Sequence, residues 1–348
     1  MSAGDAERLV DDVLDGDHRA LARTITKIEN REDGYRDIVS ALHAHTGGAS
    51  VVGVTGSPGA GKSTLVDKLA KRYREAGLTV GVIAVDPSSP YTGGAVLGDR
   101  IRMASNVGDM DVFFRSMSAR GQLGGLSTAT ADAITALDAF GKDRIIVETV
   151  GAGQNEVDVV RTADTVVVLV QPGSGDDVQM LKAGILEIGD VFVVNKADMD
   201  GAATTVTDIE EMLHMRDGSP PAGAGHHGIQ FDDGATDDAE ATDDWEPSVV
   251  ETIATEGEGV GELIDALDAH YDHLRETGEL ERKERTRYAE EIRQLLRADA
   301  AALLEDELDR HGGMDHLVDA VQAREIDPYT VAERVIDPLA DCVERRRE

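Results

Sequence analysis

The chain has 348 residues, of which 68 are acidic and 34 are basic, so its formal net charge at pH 7 is −34. Binding to nucleic acid or to an anionic membrane depends on basic residues that neutralise phosphate groups, so this charge argues against both kinds of partner. The acidic residues are spread along the whole chain, as in proteins from salt-loving organisms, where salt screens the repulsion. A single cysteine, Cys342, excludes an internal disulfide and a cysteine-based zinc site.

No stretch of the sequence is apolar for long enough to span a bilayer. The first residues, from Met1 to Asp5, contain neither a basic region nor an apolar core and therefore do not resemble a signal peptide. We expect a soluble protein of the cytoplasm.

Taken in chain order, residues 1–46 predict a helical segment, because their apolar residues recur at helical spacing. Gly47 and Gly48 separate this segment from residues 47–278, in which strand patterns and helical patterns alternate. Continuous β-branched runs are typical of strands that are buried on both faces. The sequence therefore predicts an α/β fold with a doubly wound, mostly parallel sheet. The predicted strands are Thr79–Val85, Val112–Phe114, Arg144–Val147, Thr165–Val170, Val191–Val194 and Val249–Ile253, after a first strand that contains Val51–Val54.

Two further segments differ from this alternating pattern. Residues 217–246 are rich in Gly, Asp, Ala, Thr and Pro, which predicts a solvated acidic insertion at the surface. Residues 279–348 are helical and highly charged, with one apolar face, and form a predicted C-terminal arm. The sequence alone leaves open whether this arm packs on its own domain or on another subunit.

A glycine-rich loop directly after the first strand carries the strongest functional signal. Its spacing, with a strand before it and a helix after it, is that of a phosphate-binding loop, in which backbone N–H groups and a helix N-terminus surround an anion. The lysine would bind the β- and γ-phosphates and take part in catalysis, and the serine that follows would bind Mg²⁺. The loop consists of Gly56, Ser57, Pro58, Gly59, Ala60, Gly61, Lys62, Ser63 and Thr64.

A second motif indicates that the nucleotide is GTP or GDP. Asn195, Lys196 and Asp198 follow a buried strand, at the sheet edge where open α/β folds bind ligands. The Asp198 carboxylate would accept hydrogen bonds from guanine N1–H and from the exocyclic amine, which adenine lacks. Asn195 would brace the loop, and Lys196 would cover the base.

A base contact is also expected after the last predicted strand. We predict that a backbone amide in the stretch Ile253-Ala254-Thr255, that of Ala254, meets guanine O6. Many GTPases have serine at the position of Ile253.

Two acidic residues at strand ends predict a site for Mg²⁺. Asp86 and Glu148 each end a predicted strand at the same edge of the sheet as the phosphate loop. Gly151 follows Glu148 and would bind the γ-phosphate only when it is present, as a switch does. Between these acids, Arg100 or Arg102 could stabilise the charge of the transferred phosphoryl group, or could pair with Asp99 instead.

Taken together, these motifs resemble the methylmalonyl-CoA mutase-associated GTPases, the MeaB/ArgK family. The resemblance covers nearly the whole chain. It rests on Ala84-Val85-Asp86-Pro87-Ser88-Ser89, on Thr92-Gly93-Gly94 with Leu97 to Met103, on Glu148-Thr149-Val150-Gly151 with Gly153-Gln154, and on Gly175-Asp176-Asp177 with Lys182 and Gly184 to Glu187.

The resemblance implies a GTP-hydrolysing chaperone of an adenosylcobalamin-dependent acyl-CoA mutase, which gates cofactor loading and protects or reactivates the mutase. It also implies a homodimer formed through the C-terminal helices. By motif match, Asp86, Asp99 and Glu148 belong to the magnesium and switch region and Arg102 to hydrolysis. A third switch that transmits partner binding would contain Asp176, Gln179 and Lys182.

Three alternatives remain open at the level of the sequence. A GTPase that inserts nickel would share the sheet, but such proteins generally carry cysteine and histidine ligands near the switches. A small-molecule kinase is disfavoured by Asn195 and Asp198, which argue against ATP. A scaffold would bind GTP without hydrolysing it.

Overall fold

The computed structural model of the chain describes residues 3–86, 109–118, 125–149, 162–173, 186–217 and 245–345. Three helices come first: α1 (Ala3–Leu14), α2 (His18–Asn30) and α3 (Tyr35–His43). Asp17 caps α2 by accepting hydrogen bonds from the backbone N–H groups of Arg19 (2.6 Å) and Ala20 (3.2 Å). Apolar side chains at helical spacing, among them Leu21 and Ile25, are fully buried against the sheet, so this helical layer shares the main core.

Seven strands form one sheet in the order β3-β2-β4-β1-β5-β6-β7, and every paired neighbour is parallel. The chain crosses from one half of the sheet to the other at β1, which pairs with β4 on one side and with β5 on the other. Parallel sheets of this kind bind ligands where the strand order reverses. The strands are β1 (Ser50–Gly56), β2 (Val80–Asp86), β3 (Val112–Ser118), β4 (Arg144–Thr149), β5 (Thr165–Val170), β6 (Val191–Asn195) and β7 (Ser248–Thr252).

Helices cover both faces of the sheet, which confirms the predicted doubly wound α/β fold. Residues along β1 alternate between two cores: Val51 packs with the N-terminal helices and Val52 with the opposite layer. A third core lies between β6 and the helix that follows it, around Phe192 and Ile209. The covering helices are α4 (Lys62–Glu75), α5 (Gly125–Ala139), α6 (Ala202–Asp217) and α7 (Val260–Glu276).

The observed strands differ from the predicted ones mainly at their carboxyl ends. The strands β2, β3 and β4 each run on to the polar residues at the sheet edge, because the ladder pairing continues there. The predicted last strand, Val249–Ile253, lies one residue further along the chain than the observed β7. Ile253 lies outside β7, in an isolated antiparallel bridge with Glu258 that closes a tight loop.

The predicted insertion lies almost entirely outside the described residues, since residues 218–244 are not among them. Asp217 ends α6, and Trp245 packs on the domain: its indole Nε1–H donates to the Asp190 carbonyl at 2.9 Å.

The chain separates into two compact units, residues 1–284 and residues 285–348. The C-terminal helices are α8 (Glu279–Arg310), α9 (Gly313–Gln322) and α10 (Pro328–Arg345). Within the second unit, Leu317 and Val335 are buried. No helix in the described part of the chain is long and apolar enough to cross a membrane.

Candidate nucleotide-binding site

Two glycines of the phosphate loop are required by the backbone and by its neighbours. Gly56 and Gly61 have φ angles of 138° and 97°, a region that side chains disfavour. A Cβ atom at Gly56 would lie 2.0 Å from the Leu169 carbonyl oxygen, and one at Gly61 would lie 2.4 Å from the Asn195 amide nitrogen. The loop therefore runs in close contact with β5 and with the residue that ends β6.

Lys62 begins α4 and is only 7% exposed. Its Nζ donates to the carbonyl oxygens of Gly56 (2.6 Å) and Ser57 (3.0 Å), so the ammonium group lies across its own loop. A buried ammonium is costly unless it is hydrogen-bonded, and here two backbone carbonyls bind it. The arrangement holds one positive charge at the N-terminus of α4, where the helix dipole also favours an anion.

Ser63 and Glu148 meet directly, although they are 85 residues apart in the chain. The Ser63 hydroxyl donates to Glu148 Oε1 at 2.5 Å. Glu148 is 4% exposed, and β4 places it opposite Val54 of β1 and Ala84 of β2. A hydroxyl and a carboxylate are hard oxygen ligands of the type that Mg²⁺ prefers, so this pair fits the predicted metal site.

Asp86, the other strand-end acid, is the last residue of β2 and pairs in register with Ser118 of β3. Its side chain lies outside the described residues. The same holds for the whole of Asp99, Arg100, Arg102 and Gly151.

Asn195 joins three segments of the site through one buried side chain, which is 2% exposed. Its Nδ2 donates to the Ala60 carbonyl of the phosphate loop at 2.6 Å. Its Oδ1 accepts from Thr252 Oγ1 and from the Ala254 backbone N–H, both at 3.0 Å. The end of β6, the phosphate loop and the loop after β7 are thereby fixed relative to one another.

The Ala254 amide, which we expected to contact guanine O6, thus donates to Asn195 in this structure. Ala254 is buried, Ile253 is half-buried and Thr255 is exposed. Contact of this loop with the base stays a prediction.

Lys196 is also held in place, with a backbone φ of 62° that is uncommon for a residue other than glycine. Its Nζ donates to Gln171 Oε1 at 2.7 Å, and the next amide, that of Ala197, donates to the Thr252 carbonyl at 3.0 Å. Asp198 is exposed at the open end of this loop. This exposed position is the one expected if the Asp198 carboxylate contacts a base that enters from solvent.

Two residues of the site were missed by sequence reasoning. Gln171 follows β5 and Thr252 ends β7, and each contacts the Asn195–Asp198 motif only because the sheet places β5, β6 and β7 side by side. Thr252 could have been found from its position just before Ile253 and Ala254. No local pattern marks Gln171.

Among the described residues, no group of three or more His, Cys, Asp or Glu side chains could hold a metal ion. A dedicated transition-metal centre, as a nickel-inserting GTPase would need, is thus not found in that part of the chain.

The parallel sheet, the glycine-rich loop after its central strand and the Asn-Lys-x-Asp motif at the same edge define a P-loop GTPase. Comparison with known families places the chain further: the model of the methylmalonyl Co-A mutase-associated GTPase MeaB matches residues 21–308. The chain belongs to this family.

Three relatives are similar to this chain over most of its length. GTPase ArgK of Escherichia coli is 33% identical over 282 residues, which cover 80% of each chain. A protein of Pyrococcus abyssi that is named as a GTPase is 46% identical over 333 residues, or 96% of each chain. The mouse protein named methylmalonic aciduria type A homolog, mitochondrial, is 30% identical over 302 residues, covering 81% of this chain and 67% of the mouse protein.

A solved structure, described as a LAO/AO transport system kinase, has the same fold. It superposes with a TM-score of 0.65 at 24% identity, covering 98% of this chain and 99% of that one. The family and its relatives establish that this chain is a GTPase, which binds guanine nucleotide and hydrolyses GTP.

Proposed function

We propose that this GTPase is a chaperone of an adenosylcobalamin-dependent acyl-CoA mutase of the methylmalonyl-CoA type, which gates cofactor loading and protects or reactivates the mutase. Family membership over residues 21–308 carries the proposal. The mouse relative, whose name refers to methylmalonic aciduria, supports the same association between the GTPase and a mutase of the methylmalonyl-CoA type. We expect hydrolysis to be slow until the mutase completes the site.

The partly buried contact between Ser63 and Glu148 supports a role for the nucleotide as a signal. Glu148 is the penultimate residue of β4 and lies just before the residues predicted to form a switch, so a change at the Ser63 hydroxyl would act on the start of that segment. Ser63 and Glu148 would hold Mg²⁺ together with Asp86 and Asp99. When bound, the ion neutralises charge on the phosphates. Lys62 supplies the fixed positive charge beside them, and Arg102 would contribute a second during hydrolysis.

We also propose that the protein is a homodimer formed by its C-terminal helices. Four large apolar side chains on α8 are between 45% and 63% exposed and recur at helical spacing: Tyr288, Ile292, Leu296 and Leu303. An apolar stripe of this kind on a charged helix supports pairing with a second copy.

The test is recovery of partners from the native lysate at high salt, with the chain immobilised and loaded with either a non-hydrolysable GTP analogue or GDP. We expect recovery of a cobalamin-dependent mutase subunit that depends on which nucleotide is bound. The matched control is Lys62→Ala, which removes the phosphate-binding charge and should abolish the difference between the nucleotides. Recovery of a hydrogenase or urease maturation factor instead would contradict the proposal and favour metal insertion.

A further inference from the structure

Helix α2 presents a row of basic side chains that the nucleotide site does not use. Arg19, Arg23, Lys27 and Arg31 follow one another at intervals of four residues, so they lie along one side of the helix and its C-cap. The opposite side of α2, with Leu21, Ile25 and Ile28, is buried in the core. At 1.5 Å per residue, the basic row is about 18 Å long.

This row is unusual because the chain carries twice as many acidic as basic residues. Arg19, Arg23 and Arg31 are exposed, and Arg23 and Arg31 form no ion pair with any described residue. Two nearby acids have contacts outside the row: Asp17 caps the helix, and Glu29 binds Arg115 at 2.6 Å. Within the row, only Lys27 is ion-paired among the described residues, with Glu32 at 2.7 Å.

A pocket lies at the middle of the row, next to the edge strand β3. It encloses about 390 Å³, which is within the size range of small-ligand sites. It is lined by residues of α2, by Glu32 just after the helix and by one strand residue: Ala22, Arg23, Thr26, Lys27, Glu32 and Arg115. The guanidinium of Arg115 binds Glu29 through one Nη, while its buried Nε has no hydrogen-bond partner. A buried donor without a partner is uncommon, so the Nε–H group of Arg115 beside the pocket still lacks an acceptor, although the charge of its guanidinium is paired with Glu29.

We propose that this basic row, Arg19, Arg23, Lys27 and Arg31, is a docking surface for an acidic helix of a partner protein. Carboxylates at every fourth position of such a helix are spaced about 6 Å apart, the same interval as the cations of α2. A nucleic acid would extend beyond the 18 Å row onto the acidic surface that surrounds it, whereas an acidic helix face can end within that length. The pocket beside Arg23 would receive one carboxylate.

The test uses the full-length protein and a fluorescent alanine-rich peptide of about 20 residues with Glu at every fourth position. A second peptide of the same composition has its glutamates grouped at one end. Anisotropy titrations at several salt concentrations should show binding of the first peptide that weakens as salt rises, and weaker binding of the second. Absence of binding to the first peptide at the lowest salt would overturn the proposal.

The deciding variant is Arg19→Gln/Arg23→Gln, and its matched control is Arg293→Gln/Arg297→Gln on α8. Both changes remove two exposed arginines four residues apart, and the control pair interacts only with Glu290 among the ion pairs seen. We expect the α2 variant to bind the peptide roughly fivefold to thirtyfold more weakly and the control to bind as the wild type does. Circular dichroism and GTP hydrolysis, unchanged in both, would show that each variant is folded.

Equal weakening in the two variants would mean that only net charge matters, and would overturn the docking surface. Tighter binding of a single-stranded DNA of the same length would overturn it in favour of a nucleic-acid site. The inference stands apart from the proposed mutase partner, because peptide binding by α2 and recovery of a mutase are separate measurements that can fail independently.

Discussion

We predict that the Asp198 side chain selects guanine over adenine. In Asp198→Asn, an amide NH₂ replaces one of the two acceptor oxygens and faces the N1–H or the amine of guanine. We expect affinity for GDP to fall by roughly 100-fold and affinity for XDP to rise, because xanthine presents a carbonyl in place of the amine. Calorimetric titration with GDP, XDP and ADP measures both effects.

The neighbouring exposed acid Asp200 provides the control, since Asp200→Asn makes the same change of charge two residues away. It should leave all three affinities unchanged. A parallel loss of GDP and ADP affinity in Asp198→Asn would show that the carboxylate does not select the base.

Gln171 positions Lys196 through the 2.7 Å hydrogen bond between their side chains. In Gln171→Leu the ammonium loses this acceptor, so we expect GDP to dissociate roughly fivefold faster and KM for GTP to rise, with kcat little changed. Stopped-flow release of a fluorescent GDP analogue measures the rate. Gln171→Glu keeps an acceptor at the same position and should restore slow release; if it releases GDP as fast as the leucine variant, Gln171 does not act through Lys196.

At the scale of elements, a polar network at the amino edge of the sheet joins β5, β6 and α7. His270 is 1% exposed, its Nδ1 lies 2.8 Å from Thr165 Oγ1, and its Nε2 lies 3.4 Å from Asp190 Oδ1. The Trp245 ring packs edge-on against it at 4.8 Å. Of the strands that start at this network, β5 ends at Val170, just before Gln171, and β6 ends at Asn195, so the network anchors the strands that carry the base loop.

Burial lowers the pKa of His270 from 6.5 to about 3, with further lowering by Lys283 and His273. The unfolded chain therefore binds a proton below pH 6.5 while the folded protein does not. The contribution of His270 to stability is fully present above pH 6.5 and is lost as the pH falls from 6.5 towards 3, by at most about 1.4 kcal/mol per pH unit, because a single proton is involved.

Urea unfolding at pH 7.5, 6.5 and 5.5, followed by the fluorescence of the single tryptophan Trp245, measures this dependence. His270→Gln should lower the stability at pH 7.5 but show a smaller loss between pH 6.5 and 5.5. The same slope in the variant and the wild type would contradict a neutral buried His270.

Sequence reasoning succeeded for elements whose signals are local. The β-branched runs predicted the strands, and the spacing from Gly56 to Thr64 predicted the loop and the helix after it. It missed the bond between Gln171 and Lys196 and the packing of Trp245 on the domain, because both depend on which strands become neighbours in the sheet. Composition predicts that Trp245 lies in a solvated insertion, whereas its indole ring packs against His270 and His273 and donates to the Asp190 carbonyl.

For the molecule as a whole, the charge of −34 sets the conditions under which partners can meet it. An acidic surface repels most proteins at low salt, so we infer that association depends on local features such as the basic row of α2 and the apolar stripe of α8. Salt should weaken contacts made by the basic row of α2 and strengthen contacts made by the apolar stripe of α8.

In the proposed function, the bound nucleotide controls association with a mutase. The most direct measurement is the dissociation constant between the purified chain and the mutase from the same organism, with GDP and with a non-hydrolysable GTP analogue. We predict that the two constants differ by roughly tenfold or more, a coupling free energy of about 1.4 kcal/mol or larger, and that the difference disappears in Lys62→Ala. Equal constants for the two nucleotides would contradict the claim.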